Sequence, residues 1–326
     1  MPIVRPDDFT GSDTVKVQQC FDAVRWNSST PLEVVLDRSY TIESTIAVRA
    51  PAVPPPGKPY GRVIINALRG ELKWRGQEGT SVLKIGEPVG NHKMWWSRIE
   101  GLRIENAGGV PVSGYEVAHA HALRLVECNG LGVTCSSPAN YLSMEHCFFA
   151  GAPDRPAADL WGNLIRVVGG KYQQANIGIK ARGGMVEVDG IDVSICSEVG
   201  VLFDRVGGGR LSGWAEQIGP RQSENQAAVV RAVNSFWIRI DGMQINCVNG
   251  STGSATHAAF GVDLQASHHI SIDHGEVQMP TVAGVRADKT CGEGNTVRRA
   301  VEWIPDPQWP GARFIDDQSG RLAIER

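Results

Sequence analysis

A degenerate repeat runs through the chain from about residue 99 to residue 286. Its first part is a short apolar strand with an acidic residue at a glycine-rich corner, as in residues 188–193 (VDGIDV) and 240–245 (IDGMQI). Its second part is a small-residue strand, as in 199–201 (VGV) and 260–262 (FGV). Such a repeat constrains the fold strongly, because each unit must bury its apolar face against its neighbours.

Two markers measure the length of the repeat. The acidic marker, or its replacement, falls at Glu100, Glu145, Val168, Asp189, Ser212, Asp241 and Asp273. The small-residue marker falls at Gly132, Gly178, Gly200, Val229, Gly261 and Gly284. Both series have a spacing of about 22 residues, and both contain the same two expanded repeats of 29 and 32 residues. The interval from Glu100 to Glu145 corresponds to about two repeats.

The pattern within a repeat is that of short strands. Apolar positions alternate, Val and Ile are frequent, and Gly, Asn, Asp and Ser bound each run, whereas helical periodicity is absent. We therefore expect an all-β fold, a parallel β-helix in which one chain winds into successive coils. Before the repeat, residues 14–26 carry apolar side chains on one helical face, with Asp13 or Thr14 as candidate N-cap. This amphipathic helix is expected to cap the open end of the first coil.

Composition limits the classes of function. The chain has 326 residues, 42% of them hydrophobic and 21% charged, with a net charge of -3. These values are typical of a globular protein and give no basic surface for nucleic acid. No apolar run approaches the ~20 residues of a membrane span, and the first residues lack the apolar stretch of a secretory signal. We expect no membrane insertion and a protein that stays in the producing cell or leaves it by assembly or lysis.

The expected organisation has three parts. Residues 1–30 form the N-terminal segment with the capping helix, 31–294 the parallel β-helix, and 295–326 an irregular tail. The tail is expected to be irregular because residues 303–310 (WIPDPQWP) contain three prolines, which cannot donate to a strand ladder. The seven cysteines show no metal-ligand spacing, so Cys147, Cys196 and Cys247 are interpreted as small buried apolar residues.

Residues 8–23 and 34–42 (VVLDRSYTI) resemble the opening of pectate-lyase-like right-handed parallel β-helix proteins. That superfamily includes pectinolytic enzymes, epimerases and bacteriophage tailspikes. The resemblance implies a right-handed coil and, for a tailspike-like protein, a homotrimer located in the virion tail. The expected partners are then bacterial surface polysaccharide and other tail proteins. Because one fold serves many functions, the choice between these activities needs evidence from a site.

The two expanded repeats point to that site. Each is lengthened between the acidic strand and the small-residue strand, by residues 216–226 in one repeat and 246–257 in the next. If the register is correct, both insertions project from the same corner of adjacent coils. Loops on a rigid scaffold commonly carry binding residues, so this corner is the first candidate site.

Three carboxylates are candidate catalytic residues: Asp189, Asp241 and Glu216. Asp189 and Asp241 occupy equivalent positions two coils apart, about 10 Å in the stacking direction. That separation is near the upper limit for an inverting glycosidase pair, in which one acid protonates the leaving oxygen and one carboxylate activates water. The alternative is structural, because an acidic residue before glycine also suits a tight corner.

Aromatic and cationic residues near the insertions are candidate substrate ligands, because the flat faces of aromatic rings can pack on sugar rings. The candidates are Trp214, Arg210, Arg221 and Trp96. Trp237 alternates with Ile238 on a strand, so one of them must face outward. The histidine pair at 268 and 269 is interpreted as surface.

Two segments, 142–149 (LSMEHCFF) and 270–275 (ISIDHG), resemble the calcium-binding strand of pectate lyases. The chain lacks the arginine element that supplies the base in that family, so no metal and no cofactor are expected. The leading hypothesis is a tailspike or tail-fibre-like protein that binds bacterial surface polysaccharide, with cleavage by hydrolysis or lysis left open. The alternatives are a non-catalytic virion component and a monomeric polysaccharide lyase or epimerase.

Overall fold

The computed structural model describes most of the chain. The described residues are 3–23, 32–49, 63–67, 70–87, 94–95, 97–109, 111–118, 120–219, 226–247, 258–298, 300–305, 307 and 310–325. Contacts group the chain into two units. Unit 1 comprises Met1–Phe149 and Trp161–Arg166, and unit 2 comprises Ala150–Leu160 and Val167–Arg326.

Unit 1 contains a short 3-10 helix, one α-helix and a series of short strands. In chain order these are β1 (Ile3–Val4), the 3-10 helix (Pro6–Asp8), α1 (Asp13–Asp22), β2 (Leu32–Val35), β3 (Ser39–Ile42), β4 (Ile46–Arg49), β5 (Val63–Asn66), β6 (Glu71–Trp74), β7 (Leu83–Glu87), β8 (Met94–Trp95), β9 (Arg98–Glu100), β10 (Arg103–Asn106), β11 (Tyr115–Val117), β12 (Ala120–His121), β13 (Arg124–Val126), β14 (Asn129–Leu131), β15 (Val133–Cys135) and β16 (Ala139–Glu145).

Two strands cross the division of the chain, and the others belong to unit 2. The first group is β17 (Phe148–Ala150) and β18 (Ala158–Val168). The 48-residue run β19 (Lys171–Ile218) opens the second group. The remaining strands are β20 (Ala228–Val233), β21 (Ile238–Asn246), β22 (Phe260–Gln265), β23 (Ser271–Ile272), β24 (Gly275–Gln278), β25 (Ala283–Ala287), β26 (Thr296–Arg298), β27 (Val301–Ile304), β28 (Arg313–Asp317) and β29 (Ala323–Glu325).

The strand register confirms the predicted repeat in both units. In unit 1, Val126 pairs in parallel with Glu100 on one side and Glu145 on the other, so these two acids lie two coils apart. In unit 2, Ile240 of β21 pairs in parallel with Ile272 of β23, which places Asp241 and Asp273 in one column. The protein is nearly all-β, and the fold is a parallel β-helix.

The small-residue column lets adjacent coils approach closely. A Cβ atom on Gly261 would lie 2.4 Å from Val277 Cγ1 and 2.7 Å from the backbone oxygen of Gly284. Likewise, a Cβ atom on Gly200 would lie 2.6 Å from the backbone oxygen of Val229. Glycine is therefore required there by packing. The rest of the interior is apolar, and it includes the three cysteines that were predicted to be buried: Cys147, Cys196 and Cys247. Burial raises the pKa of Cys196 to about 12.

Helix α1 packs on β3 and β4 as the predicted cap. Its apolar face supplies three buried side chains, Val17, Cys20 and Phe21. Gln18 bonds to β4 at both ends of its amide, because Nε2 donates to the Ala47 carbonyl at 3.0 Å and Oε1 accepts from the Ala47 N–H at 2.9 Å. No helix among the described residues is both long and apolar enough to cross a membrane.

The start of α1 differs from the prediction. The N-cap is Ser12, whose hydroxyl accepts from the Val15 N–H, and not Asp13 or Thr14. The side chains of Asp13 and Thr14 instead accept from backbone N–H groups of the strand region below, at Thr41 and Glu43. They tie the helix to the first coil. Residues 24–26 of the predicted helix lie outside the described residues.

The C-terminal segment also differs from the prediction, because four strands continue the ladder between residues 296 and 325. Trp303 lies in β27 and pairs with Val277. The expectation of an irregular tail is wrong for these strands. The prolines do not interrupt pairing because Pro305, Pro307 and Pro310 lie after β27 and before β28.

Candidate functional site

The two predicted insertions begin and end at matched positions of unit 2. Glu216 pairs with Asn246 where the insertions leave the ladder, and Ala228 pairs with Phe260 where they return. The register therefore agrees with the prediction that both insertions depart from one corner of adjacent coils. Most of the insertions, residues 220–225 and 248–257, lies outside the described residues.

A polar face with one exposed indole leads to this corner. Trp214 is 40% exposed and pairs with Gln244, which in turn pairs with Glu276. Glu216 is half-buried and lies two residues after Trp214 on the same strand, so both side chains lie on one side of it. We call Trp214, Glu216, Gln244 and Glu276 the insertion face.

Asp241 lies in a cluster of charges at the corner before the insertion face. Its Oδ2 is 3.0 Å from Arg239 Nη2 and 3.7 Å from Arg210 Nη2, and its Oδ1 is 3.0 Å from His274 Nδ1. Arg239 also reaches the carboxylate of Asp273 at 2.5 Å, and the Asp273 side chain is only 3% exposed. The guanidinium groups compensate the negative charge of Asp241 and hold its side chain in place.

Asp189 is exposed and lies in the same corner column, with Ser212 between it and Asp241. The Ser212 hydroxyl donates to Asp189 Oδ1 and accepts from the Gly190 N–H at 3.0 Å. The stacking distance of about 4.8 Å per coil separates the backbones at the two positions by about 10 Å. The structure thus brings Asp189 and Asp241 to one corner, whereas Glu216 lies further along the coil at the insertion face.

The other predicted ligands divide into two groups. Arg210 and Trp214 lie at the corner and the insertion face. Arg221 and Trp96 lie outside the described residues, so their roles remain predictions.

A second charge cluster has a structural role. The carboxylate of Asp263 has 0% exposure and bonds to an arginine from the coil on each side. Its Oδ2 accepts from Arg231 Nε at 2.8 Å, and its Oδ1 accepts from Arg286 Nε at 2.8 Å. Gln265 Nε2 also donates to it, at 2.8 Å. Arg286 further stacks over the Phe260 ring, 3.8 Å from its centroid. Because protein donors occupy both oxygens of this buried carboxylate, we assign it a role in holding the coils together rather than in catalysis.

Both acids of the calcium-strand resemblance are held by arginine. Arg124 donates to both oxygens of Glu145, at 2.9 and 2.7 Å, and Ser143 donates to one of them. This hydrogen bonding lowers the pKa of Glu145. Asp273 has Arg239 on one oxygen and Arg298 at 3.3 Å from the other. Within the described ranges, no group of three or more His, Cys, Asp or Glu side chains could hold a metal ion.

Sequence reasoning missed a polar cleft of about 510 Å³ in unit 1. Lys84 Nζ and Glu116 Oε1 lie in it, 3.6 Å apart. The remaining lining is mainly small and hydroxyl-bearing: Thr45, Gly79, Thr80, Ser81, Val112, Thr134 and Ser136. Scattered Ser and Thr residues give no periodic pattern in the sequence, so their proximity can be seen only once the strand register is known.

Sequence reasoning also missed an aromatic stack in unit 2. The Trp237 ring lies on the His269 ring, with centroids 4.3 Å apart and planes 22° apart. Phe236 lies on His268 in the same way, at 5.3 Å and 9°. The sequence does contain an indication of this stack, because residues 236–237 and 268–269 are 32 residues apart, which is the length of the second expanded repeat. Trp237 faces outward and Ile238 is buried, which settles the alternation left open above.

Comparison with known proteins identifies the fold. No family model matches the sequence, and no curated protein matches it. Among solved structures, the A-module of mannuronan C-5 epimerase AlgE4 from Azotobacter vinelandii is similar with a TM-score of 0.61 and 11% identity, over 99% of this chain and 100% of that chain. The chain is a parallel β-helix protein.

Two further solved structures share this β-helix. The catalytic unit of the GH87 α-1,3-glucanase from Streptomyces thermodiastaticus has a TM-score of 0.59 and 12% identity, over 99% of this chain and 67% of that chain. The Dettilon tailspike protein has a TM-score of 0.56 and 12% identity, over 96% of this chain and 68% of that chain. At these identities the likeness is one of fold, and function must be argued from the site.

Proposed function

We propose that the protein binds bacterial surface polysaccharide as a tailspike-like component of a phage tail. The observation that carries the proposal is the insertion face, where exposed Trp214 lies beside Glu216, Gln244 and Glu276 at the base of two long insertions. An aromatic ring with adjacent amide and carboxylate groups can pack on a sugar ring while hydrogen-bonding its hydroxyls. The similar structures include a tailspike protein and enzymes named for mannuronan and α-1,3-glucan, which supports this ligand class.

The more specific form of the proposal is that the protein also cleaves the polysaccharide that it binds. The ~10 Å between Asp189 and Asp241 is close to the 6.5–9.5 Å of inverting pairs, with one acid for the leaving oxygen and one carboxylate for water. A specific observation favours binding without turnover as the second candidate. Asp241 is held by Arg239 and His274, and Asp189 by Ser212, so each carboxylate already has protein partners.

The test uses a panel of purified capsular polysaccharides and lipopolysaccharides, with retention measured for binding and new reducing ends for cleavage. We expect the wild type to bind a member of the panel, and Trp214→Ala to weaken this binding about tenfold, or ~1.4 kcal/mol. A triple variant, Asp189→Asn with Glu216→Gln and Asp241→Asn, should abolish cleavage. Asp154→Asn, in an exposed loop, is the matched control.

Each result separates the candidate functions. Binding without fragments in the wild type identifies the non-catalytic component. Calcium-dependent release of unsaturated uronides by a monomer identifies a lyase. Absence of binding to every polysaccharide contradicts the proposal. Homotrimeric assembly, which is proposed from the resemblance to tailspikes, is checked by the mass of the protein in solution.

A further inference from the structure

The aromatic stack presents a rigid, exposed ring away from the insertion face. Trp237 is 60% exposed, the highest value among the large apolar side chains of the described residues. His269 supports one face of the indole at 4.3 Å. His269 is itself fixed, because its Nδ1 lies 2.9 Å from Nδ1 of His268, which stacks under Phe236. The indole therefore has a defined orientation before any ligand arrives.

The opposite face of the indole lies toward a coil whose residues there are glycines. The coil on that side is adjacent, because the Gly209 N–H donates to the Trp237 carbonyl and the Phe236 N–H donates to the Val206 carbonyl, both at 3.0 Å. Between these bonds the coil consists of glycines 207 and 208, which carry no side chain. A Cβ atom on Gly208 would lie 3.8 Å from the Trp237 carbonyl oxygen and 3.9 Å from its Cβ. Space for a flat group thus remains over the ring.

We propose that the free face of Trp237 is a stacking subsite for a hexopyranose ring of the bound polysaccharide. The inference rests on the proposed function for its ligand class and adds a second contact point on the same coils. Arg239 lies two residues after Trp237, both side chains are exposed with buried Ile238 between them, and Arg210 pairs with Arg239. Their guanidinium groups are donors for sugar hydroxyls next to the ring.

A sugar fits this surface better than a protein partner does. The exposed rings contribute most of one indole and 37% of Phe236, and half-exposed Met185 lies one coil beyond Gly208. Because a fully buried aromatic side chain covers roughly 150–250 Å², the two rings offer about 200 Å². A stable protein interface needs about 800 Å² from each partner. One pyranose ring matches the smaller area.

The test compares substitutions that remove, keep or cover the ring. Trp237→Ala should weaken binding of the polysaccharide retained by the wild type at least tenfold, whereas Trp237→Phe should stay within about threefold. Trp161→Ala, at another partly exposed tryptophan, is the matched control and should bind like the wild type. Gly208→Gln leaves Trp237 in place but puts a side chain over its face, so we expect a loss similar to that of Trp237→Ala.

Four outcomes decide the inference. Loss in Trp237→Ala and Gly208→Gln with retention in Trp237→Phe supports it. Wild-type binding by both variants overturns the subsite but leaves the proposed function intact. Absence of binding in the wild type overturns the proposed function and the subsite together. A drop in solution mass of the Trp237→Ala variant means that the ring lies in a subunit contact, which also overturns the subsite.

Discussion

At the scale of single residues, several charged side chains of unit 2 are fixed by partners from neighbouring coils. Asp263 shows this most clearly, because arginines from the coils on either side reach its two oxygens. Such ion pairs offset the desolvation penalty of the buried carboxylate only when all its partners are present. The same logic explains why acidic corner residues are poor evidence of catalysis by themselves. Asp241 and Asp273 occupy equivalent positions of the repeat, yet the side chain of Asp241 is 20% exposed and that of Asp273 only 3%.

Asp263→Ala should destabilise the protein by about 3–5 kcal/mol, because it removes the buried carboxylate that Arg231 and Arg286 share. The measurement is the free energy of unfolding in urea. Arg205→Ala is the control, since this exposed side chain forms an ion pair with its sequence neighbour Asp204, and its urea midpoint should not move. Equal midpoints for wild type and Asp263→Ala would show that the cluster contributes nothing.

At the scale of the element, the repeat was predictable because it depends on backbone requirements. Glycine is needed where coils approach closely, as at Gly261, and acidic or polar residues suit the corners. The C-terminal strands were not predictable from proline content, because what matters is whether a proline falls inside a ladder. The candidate site was predictable only in part: matched insertion positions follow from repeat length, but the contacts of Asp241 with Arg239 and His274 depend on side-chain geometry.

Gly261→Ala tests the packing requirement of the small-residue column. The new Cβ would meet Val277 Cγ1 at 2.4 Å and the Gly284 carbonyl oxygen at 2.7 Å, so we expect a loss of about 1–3 kcal/mol in unfolding free energy. Gly311→Ala is the control, because its Cβ would have no neighbour within 4 Å. A thermal midpoint of Gly261→Ala equal to that of the control would contradict the close approach of the coils.

At the scale of the whole molecule, successive coils contact mainly their nearest neighbours, as in other solenoids. A local defect should therefore weaken adjacent coils more than distant ones. β22 carries Asp263 and pairs with β20 and β25, whereas β9 and β13 belong to unit 1.

Hydrogen exchange of Asp263→Ala measures this locality. We expect faster amide exchange in β20, β22 and β25 and unchanged exchange in β9 and β13, relative to the wild type. Arg205→Ala serves again as the control and should exchange like the wild type throughout. Uniform loss of protection in Asp263→Ala would instead mean that the chain opens as one cooperative unit.

The matched departure of the two insertions has a practical consequence. Both segments leave the ladder at the paired positions Glu216 and Asn246 and return at Ala228 and Phe260, so the strands on either side are bonded without them. Because loop length alters stability only slowly, these segments can be exchanged as cassettes while the coils stay the same. A library of loop replacements between these fixed points would turn the molecule into a platform for selecting binders of a chosen ligand.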